Sequence, residues 1–330
     1  MLLLAKSVLA LALGFVLAII IGLIAIPMLK KLKVGQSVSR LINKVHLKKE
    51  GTPTIGGIIF ILPTLLSIGM LLLRGSIPIT SNLLIVMFVF VAYGLLGFAD
   101  DFLKVTKRNN AGLSIMQKLI AQIIIAVVFY FIYTKYDGST MLEISAFNFK
   151  IELGWFYFVF ILIMLVGTTN AVNITDGLDG LCGGLSLEAF LAYGLICWNS
   201  TYIYGYDGLA IFCFVLVGSI MGFLLFNTHK AKVFMGDTGA LALGGALATV
   251  AILSHHEISL LLIGGVFVIE IVTDAIQIFL IRKFNKRIFL KAPIHHHFEE
   301  LGWEETDIVK SFWVVGFLLA IFGIVYGVWL

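Results

Sequence analysis

The sequence predicts an all-α polytopic membrane protein, and three observations carry that reading. Of 330 residues, 60% are hydrophobic and only 13% charged, against about 45–50% and about 25% in soluble domains. The apolar residues fall in long runs of the roughly 17–25 residues that a helix needs to cross a bilayer. Lys and Arg gather in alternate connecting segments, as they do when loops sort to two sides of a membrane. Long Pro-rich or low-complexity linkers are lacking, so residues 1–330 read as a single integral membrane domain.

Ten spans follow, at about 7–29, 54–73, 82–99, 117–135, 155–172, 184–200, 208–226, 238–254, 258–281 and 309–329. The first has an apolar core from Val8 to Ile26, too long for a signal-peptide core of roughly 7–15 residues. It runs into Pro27 and a basic segment, so it is read as a span. Only Ser254, His255, His256 and Glu257 separate the eighth from the ninth. Of the 23 Lys and Arg, all but Lys6, Arg74, Lys135 and Lys150 fall in or beside segments 30–53, 100–118, 173–183, 227–237 and 282–308. The positive-inside rule puts these five loops in the cytoplasm and both termini outside. On the outer side, alternation of apolar and polar residues around Phe147 and Asn148 predicts a short β-hairpin near 141–153. The three tyrosines of segment 199–208 suit an interfacial belt. Cys182, Cys197 and Cys213 fit no metal or redox spacing and read as reduced packing residues. A net charge of +4 without a basic, aromatic-interleaved surface gives no reason to expect a nucleic-acid partner.

The main polar clusters that interrupt the apolar pattern share the predicted cytoplasmic side. Asp100 and Asp101 close the third span in GFADDFLKV. Paired aspartates at a helix end can be plain solvated caps. Lys104, Lys107 and Arg108 follow within two turns, however, and carboxylates beside cations at a lipid surface suit a metal and a phosphate. Mg2+ takes oxygen ligands, commonly one or two carboxylates plus substrate phosphates. In NAVNITDGLDG, residues Asn170, Asn173, Asp176 and Asp179 recur every three positions and on a continued helix form one slowly drifting row. The accompanying glycines permit close helix packing. Packing does not explain two asparagines and two aspartates entering a membrane helix, and intramembrane ionisable groups point to a site.

VFMGDTG sets Asp237 between glycines at the start of the eighth span, as a cap or as a ligand. Phe234 reads as a ring-stacking residue or an interfacial anchor, and Asn227 lies in the same loop. The run His295, His296 and His297 in APIHHHF spans three directions of a helix, which favours hydrogen-bond donors to phosphate or sugar oxygens over a shared metal. Glu270, Asp274 and Gln277 share one stripe of the ninth span. No P-loop, dinucleotide fingerprint, CxxC pair or catalytic triad stands out. Acidic residues for Mg2+, basic residues for phosphate and asparagines for sugar or base meet at the lipid–cytosol boundary. That composite suits an enzyme joining a soluble phosphorylated substrate to a lipid phosphate. A transporter would instead line the membrane midplane with polar groups, where only Glu188 and the Glu270/Asp274 pair lie.

GFADDFLKV, NAVNITDGLDG, VFMGDTGAL and APIHHHFEELGW, in this order after TPTIGG at 52–57, resemble the polyprenyl-phosphate N-acetylhexosamine-1-phosphate transferase superfamily over nearly the whole chain. TPTIGG and PIHHHFE resemble its phospho-MurNAc-pentapeptide transferases more than its GlcNAc-1-phosphate relatives, the alternative reading. Ile55 stands where the family more often has Met. The resemblance implies a catalytic domain in the bacterial cytoplasmic membrane with its active site facing the cytoplasm. It implies UDP-MurNAc-pentapeptide and undecaprenyl phosphate as substrates, Mg2+ as cofactor, lipid I and UMP as products, and a homodimer as the expected assembly. It gives Asp237 as Mg2+ ligand, Asp100 and Asp101 as an essential pair, and Asp176 and Phe234 as uracil contacts. Asn173, Asn227, Gln277 and the histidines match substrate-contacting positions, and Asn170 and Asp179 belong to the same polar motif. Lys104, Lys118 and Lys49 match lysines of the site.

Overall fold

The structure, a computed structural model, describes residues 3–32, 51–107, 112–136, 138–144, 149–200 and 205–329. Its elements in chain order are α1 (Leu3–Lys31), α2 (Ile58–Leu73), α3 (Ser81–Lys107), α4 (Ile115–Lys135), β1 (Met141–Ile144), β2 (Phe149–Glu152), α5 (Phe156–Thr175), α6 (Leu181–Asn199), α7 (Tyr206–Asn227), α8 (Gly236–Leu253), α9 (Leu260–Ile263), α10 (Gly265–Phe284), α11 (Ile294–Glu300) and α12 (Glu305–Trp329). Among the described residues, 8 helices are long and apolar enough to cross a membrane: α1, α3 to α8, and α12.

The other two expected spans take different forms. The segment read as 54–73 yields only the 16 residues of α2. At 1.5 Å per residue that is about 24 Å, short of a hydrocarbon core of about 30 Å. Its first residues are held in an irregular stretch described below. The segment read as 258–281 breaks at Gly264 into α9 and α10, and α10 carries Glu270, Asp274, Arg282 and Lys283. The third span runs beyond its expected end, because α3 continues to Lys107. Asp100, Asp101 and Lys104 therefore stand on a helix and not in a loop.

α7 and α8 are buried almost throughout and form the hub. α1 lies along α7, while α3 and α5 flank α8. The α1–α7 crossing is close because small residues face each other: a Cβ on Gly218 would lie 2.0 Å from the Leu11 carbonyl oxygen, and one on Gly14 2.2 Å from that of Val215. Contact at that distance favours van der Waals packing where lipid offers no hydrophobic driving force between helices. The hairpin forms with β1 antiparallel to β2, Met141 opposite Glu152 and Ile144 opposite Phe149. A Lys150–Glu143 pair at 2.9 Å ties its strands. Its tip, with Phe147 and Asn148, lies outside the described residues.

Candidate active site

The ends of α3, α4, α5 and α8 converge on Asp237. Asp100 and Lys104 are one helical turn apart on α3, so their side chains meet, with Lys104 Nζ 2.6 Å from Asp100 Oδ2. The same ammonium donates to Asp237 Oδ2 at 3.0 Å, and Lys118, in the first turn of α4, donates to that oxygen at 2.6 Å. Asn173 on α5 donates its amide to Asp237 Oδ1 at 2.8 Å and accepts from Lys118 at 3.3 Å. Asp100 Oδ1 accepts the Leu113 backbone N–H at 2.7 Å, fixing the entry to α4. That helix then starts on a capping box built by Ser114 and Gln117.

Asp101 has a different job from its neighbour. Its carboxylate accepts the backbone N–H of Asp237 at 3.2 Å, the N–H of Thr238 at 2.9 Å and the Thr238 hydroxyl at 2.7 Å. The first N–H groups of a helix have no partner within it, and the helix dipole favours negative charge there. Asp101, on α3, thus serves as the N-terminal cap that the residue before α8 does not provide. Gly236, at φ +71, leaves room for this: a Cβ there would lie 2.5 Å from Asp101 Oδ2 and 2.7 Å from the Thr54 hydroxyl. The loop before α8 is held by backbone bonds from TPTIGG. Phe234 N–H donates to Pro53 O, Gly56 N–H to Phe234 O, and Gly57 N–H to Met235 O, at 2.8, 2.8 and 2.9 Å. TPTIGG is therefore a strap on the Asp237 loop.

The helical row expected of NAVNITDGLDG ends early. α5 stops at Thr175, and Asp176 to Gly180 form a turn with Gly180 at φ +84. Asn170 is not brought to the cluster. Three residues turn a helix through about 300°, and its amide is bonded to Gln122 Oε1 at 3.1 Å and Val166 O at 2.8 Å. It belongs to an α4–α5 contact. Asp176, expected as a uracil contact, lies in the turn that follows α5. Loss of surrounding water, then the charges of Asp237, Asp101 and Asp179, push its pKa up to about 7. Asp179 is buried, accepts the Ala231 N–H at 3.0 Å, and lies 3.7 Å from His229 Nδ1. Asn227 donates to Val233 O at 3.0 Å and so closes the loop that leads to half-buried Phe234.

The histidines separate. His295, read from the sequence as a hydrogen-bond donor to phosphate or sugar oxygens, is wholly buried against Glu270. His296 pairs with Glu299 and is half-buried, and burial holds its pKa below the ordinary imidazole value. His297 Nδ1 accepts the Leu290 N–H at 3.1 Å. Gln277 holds the same loop, donating to Phe289 O at 2.8 Å and accepting from the Ile288 and Phe289 N–H groups. Lys49 lies outside the described residues. Sequence reasoning missed Glu305, which accepts the Asp179 N–H at 2.7 Å. An acid in the first turn of α12 reads as an ordinary helix start. It missed Thr238 as well, whose hydroxyl shares the Asp101 cap.

Asp100, Asp101 and Asp237 bring one carboxylate oxygen each within 4.8 Å of one another. An all-oxygen donor set of this kind fits a hard divalent cation, and the two ammonium groups supply further positive charge for a phosphate.

The glycosyl transferase family 4 model matches residues 83–255. Over 96% of both chains, the sequence is 48% identical to the phospho-N-acetylmuramoyl-pentapeptide-transferase of Bacillus subtilis. The protein of that name from Geobacillus sp. strain WCH70 is 48% identical over 98% of both chains, and that from Geobacillus thermodenitrificans 46% identical over 98%. The chain belongs to the phospho-N-acetylmuramoyl-pentapeptide-transferase family. The glycosyl transferase stretch, 83–255, contains the whole Asp100–Asp101–Lys104–Lys118–Asn173–Asp237 cluster. The histidine helix and the strap at 52–57 fall outside that stretch but inside the near-full-length similarity to the transferases.

Proposed function

We infer that this chain transfers phospho-MurNAc-pentapeptide from UDP-MurNAc-pentapeptide to undecaprenyl phosphate, giving lipid I and UMP in peptidoglycan synthesis. One observation carries the chemistry: two lysines and three carboxylates from α3, α4 and α8 converge on one point, beside the end of an apolar helix. A polyprenyl phosphate headgroup meets water at such a place. The reading also has the near-full-length similarity to named transferases behind it.

The attacking group is a phosphate monoester with a second pKa near about 6, so much of it is already dianionic at neutral pH. It needs no strong general base. Asp100, with both oxygens engaged by Leu113 and Lys104, instead holds Lys104 in place. The larger barrier is the repulsion between that dianion and a pyrophosphate. Lys104 and Lys118 offset it by presenting positive charge beside Asp237, with their positions already fixed. An oxygen of the lipid phosphate attacks the sugar-bearing phosphorus, the bond to the bridging oxygen breaks, and UMP leaves with that oxygen. Direct in-line attack is preferred over a phospho-aspartate intermediate. Asp237, with Asp100, would hold Mg2+, which when bound neutralises pyrophosphate charge.

The excess of Lys and Arg in one set of loops supports a bacterial cytoplasmic membrane enzyme with its site toward the cytoplasm. If α2 and the broken α9–α10 also cross, ten crossings put both termini outside, within a single catalytic domain over 1–330. A homodimer is proposed on the family resemblance. The test is UMP release by the purified protein with undecaprenyl phosphate, with and without Mg2+, comparing UDP-MurNAc-pentapeptide with UDP-GlcNAc. Release only with the pentapeptide substrate, and only with Mg2+, is expected. Preference for UDP-GlcNAc overturns the substrate, and release independent of undecaprenyl phosphate overturns the reaction.

A further inference from the structure

Glu270 and His295 are both 0% exposed, and neither is needed by the chemistry above. Glu270 lies on α10 and His295 is the second residue of α11. His295 Nδ1 and Glu270 Oε2 are 3.0 Å apart, and the remaining atoms, His295 Nε2 and Glu270 Oε1, have no partner among the described residues. A buried carboxylate is costly unless paired and hydrogen-bonded, so the pair is a fixed point of the fold. A carboxylate on one ring nitrogen also sets the orientation and tautomer of an imidazole.

The far edge of that ring rests on Gly177. A Cβ built there would lie 2.4 Å from His295 Nε2, and its three nearest atoms all belong to the same ring. Gly177 does not have a positive φ, so the backbone itself would accept alanine, and only the imidazole excludes it. Gly177 follows Asp176, whose carboxylate feels Asp237 and Asp101, and precedes Leu178, which is 3% exposed. A line of contact thus runs from Glu270 through His295 to the turn that carries Asp176.

We propose that Glu270 is a positioning residue: through His295 it holds the Asp176–Gly177–Leu178 turn against the carboxylate cluster. The consequence for turnover rests on the transferase reading above, whereas the strut itself does not. Glu270→Leu is expected to lower the rate of UMP release at least tenfold, with KM for undecaprenyl phosphate within twofold of wild type. Glu270→Gln, which keeps an acceptor for Nδ1–H, stays within threefold. In a His295→Ala background, Glu270→Leu causes less than a twofold further loss. The turn is read without activity by introducing Leu178→Cys and measuring labelling by a water-soluble maleimide. Labelling is at least tenfold faster when Glu270→Leu is added.

Where Glu270→Leu does not fold, Gly177→Ala reads the strut from its other end. It lowers the rate at least tenfold alone and less than threefold when His295→Ala has removed the ring. The proposal is overturned if Glu270→Leu stays within threefold of wild type, or if Glu270→Gln is as impaired as Glu270→Leu. It is also overturned if the losses multiply in the double variant, or if Gly177→Ala is as harmful without the ring. If the wild-type chain releases no UMP while Leu178→Cys still labels at least tenfold faster with Glu270→Leu added, the transferase reading falls and the strut stands.

Discussion

Replacing Asp101 by alanine separates a structural carboxylate from a chemical one. Asp101 is 2% exposed and accepts three hydrogen bonds from the first residues of α8, at 3.2, 2.9 and 2.7 Å. Each buried donor left without an acceptor costs about 1–3 kcal/mol. Counting about 1 kcal/mol for each, the variant loses about 3 kcal/mol of stability, about three times a typical lost cap at about 1 kcal/mol. The loss extends to the site, because one of the three donors is the backbone of Asp237. A displacement of about 1 Å at a reacting centre costs about 100-fold in rate, so turnover falls by about that factor. The assay pairs thermal unfolding of the detergent-purified protein with UMP release. A clear fall in the unfolding midpoint should accompany the loss of rate. An unchanged midpoint with turnover abolished would refute the cap and give Asp101 a direct part in the chemistry.

Asp237→Asn is expected to abolish Mg2+-dependent turnover while the protein stays folded, and near-normal turnover would remove Asp237 as the key ligand. Asn170→Ala should lower the unfolding midpoint by loosening the α4–α5 contact and leave both KM values within twofold. A tenfold rise in KM for the UDP substrate would return Asn170 to the site. Glu257, buried and hydrogen-bonded by the Tyr157 hydroxyl, has its pKa raised by burial to about 7. The folded chain therefore holds a proton that the unfolded chain releases near pH 4.5, and this contribution to stability is present at low pH and lost as pH rises through about 7. Glu257→Gln should melt higher than wild type at pH 8 and no higher at pH 5; equal melting at both values would remove the effect.

Local geometry was legible in the sequence wherever one segment sufficed. Asp237 next to a glycine at a helix start, Lys104 one turn beyond Asp100, and the gathering of polar motifs toward one face all follow from local spacing. Roles that depend on which helices touch were not. Asp101 caps α8 only because α3 packs on α8, and nothing in DD distinguishes the residue that turns toward that helix from the one that turns toward Lys104. Asn170 and Asn173 look equivalent in a motif of period three, yet a 60° drift separates them and sends one to Gln122 and the other to Asp237. Three identical histidines divide by helix face into one buried member and two nearer the surface. The part TPTIGG plays as a strap was not legible either, since pairing between two short irregular segments leaves no periodic trace.

The shared cap has a consequence for how the protein is made. Asp101 and the backbone it caps are 136 positions apart, and every helix from α4 to α7 is synthesised in between. During insertion Asp101 is without the N–H groups it caps, whereas Asp100 has Lys104 and Leu113 from the chain just after it. Asp101 gains its donors only when α8, the last component of the carboxylate cluster, docks in the middle of the bundle. Asp237 arrives with the same helix, so Lys104, Lys118 and Asn173 are also without that partner until α8 docks.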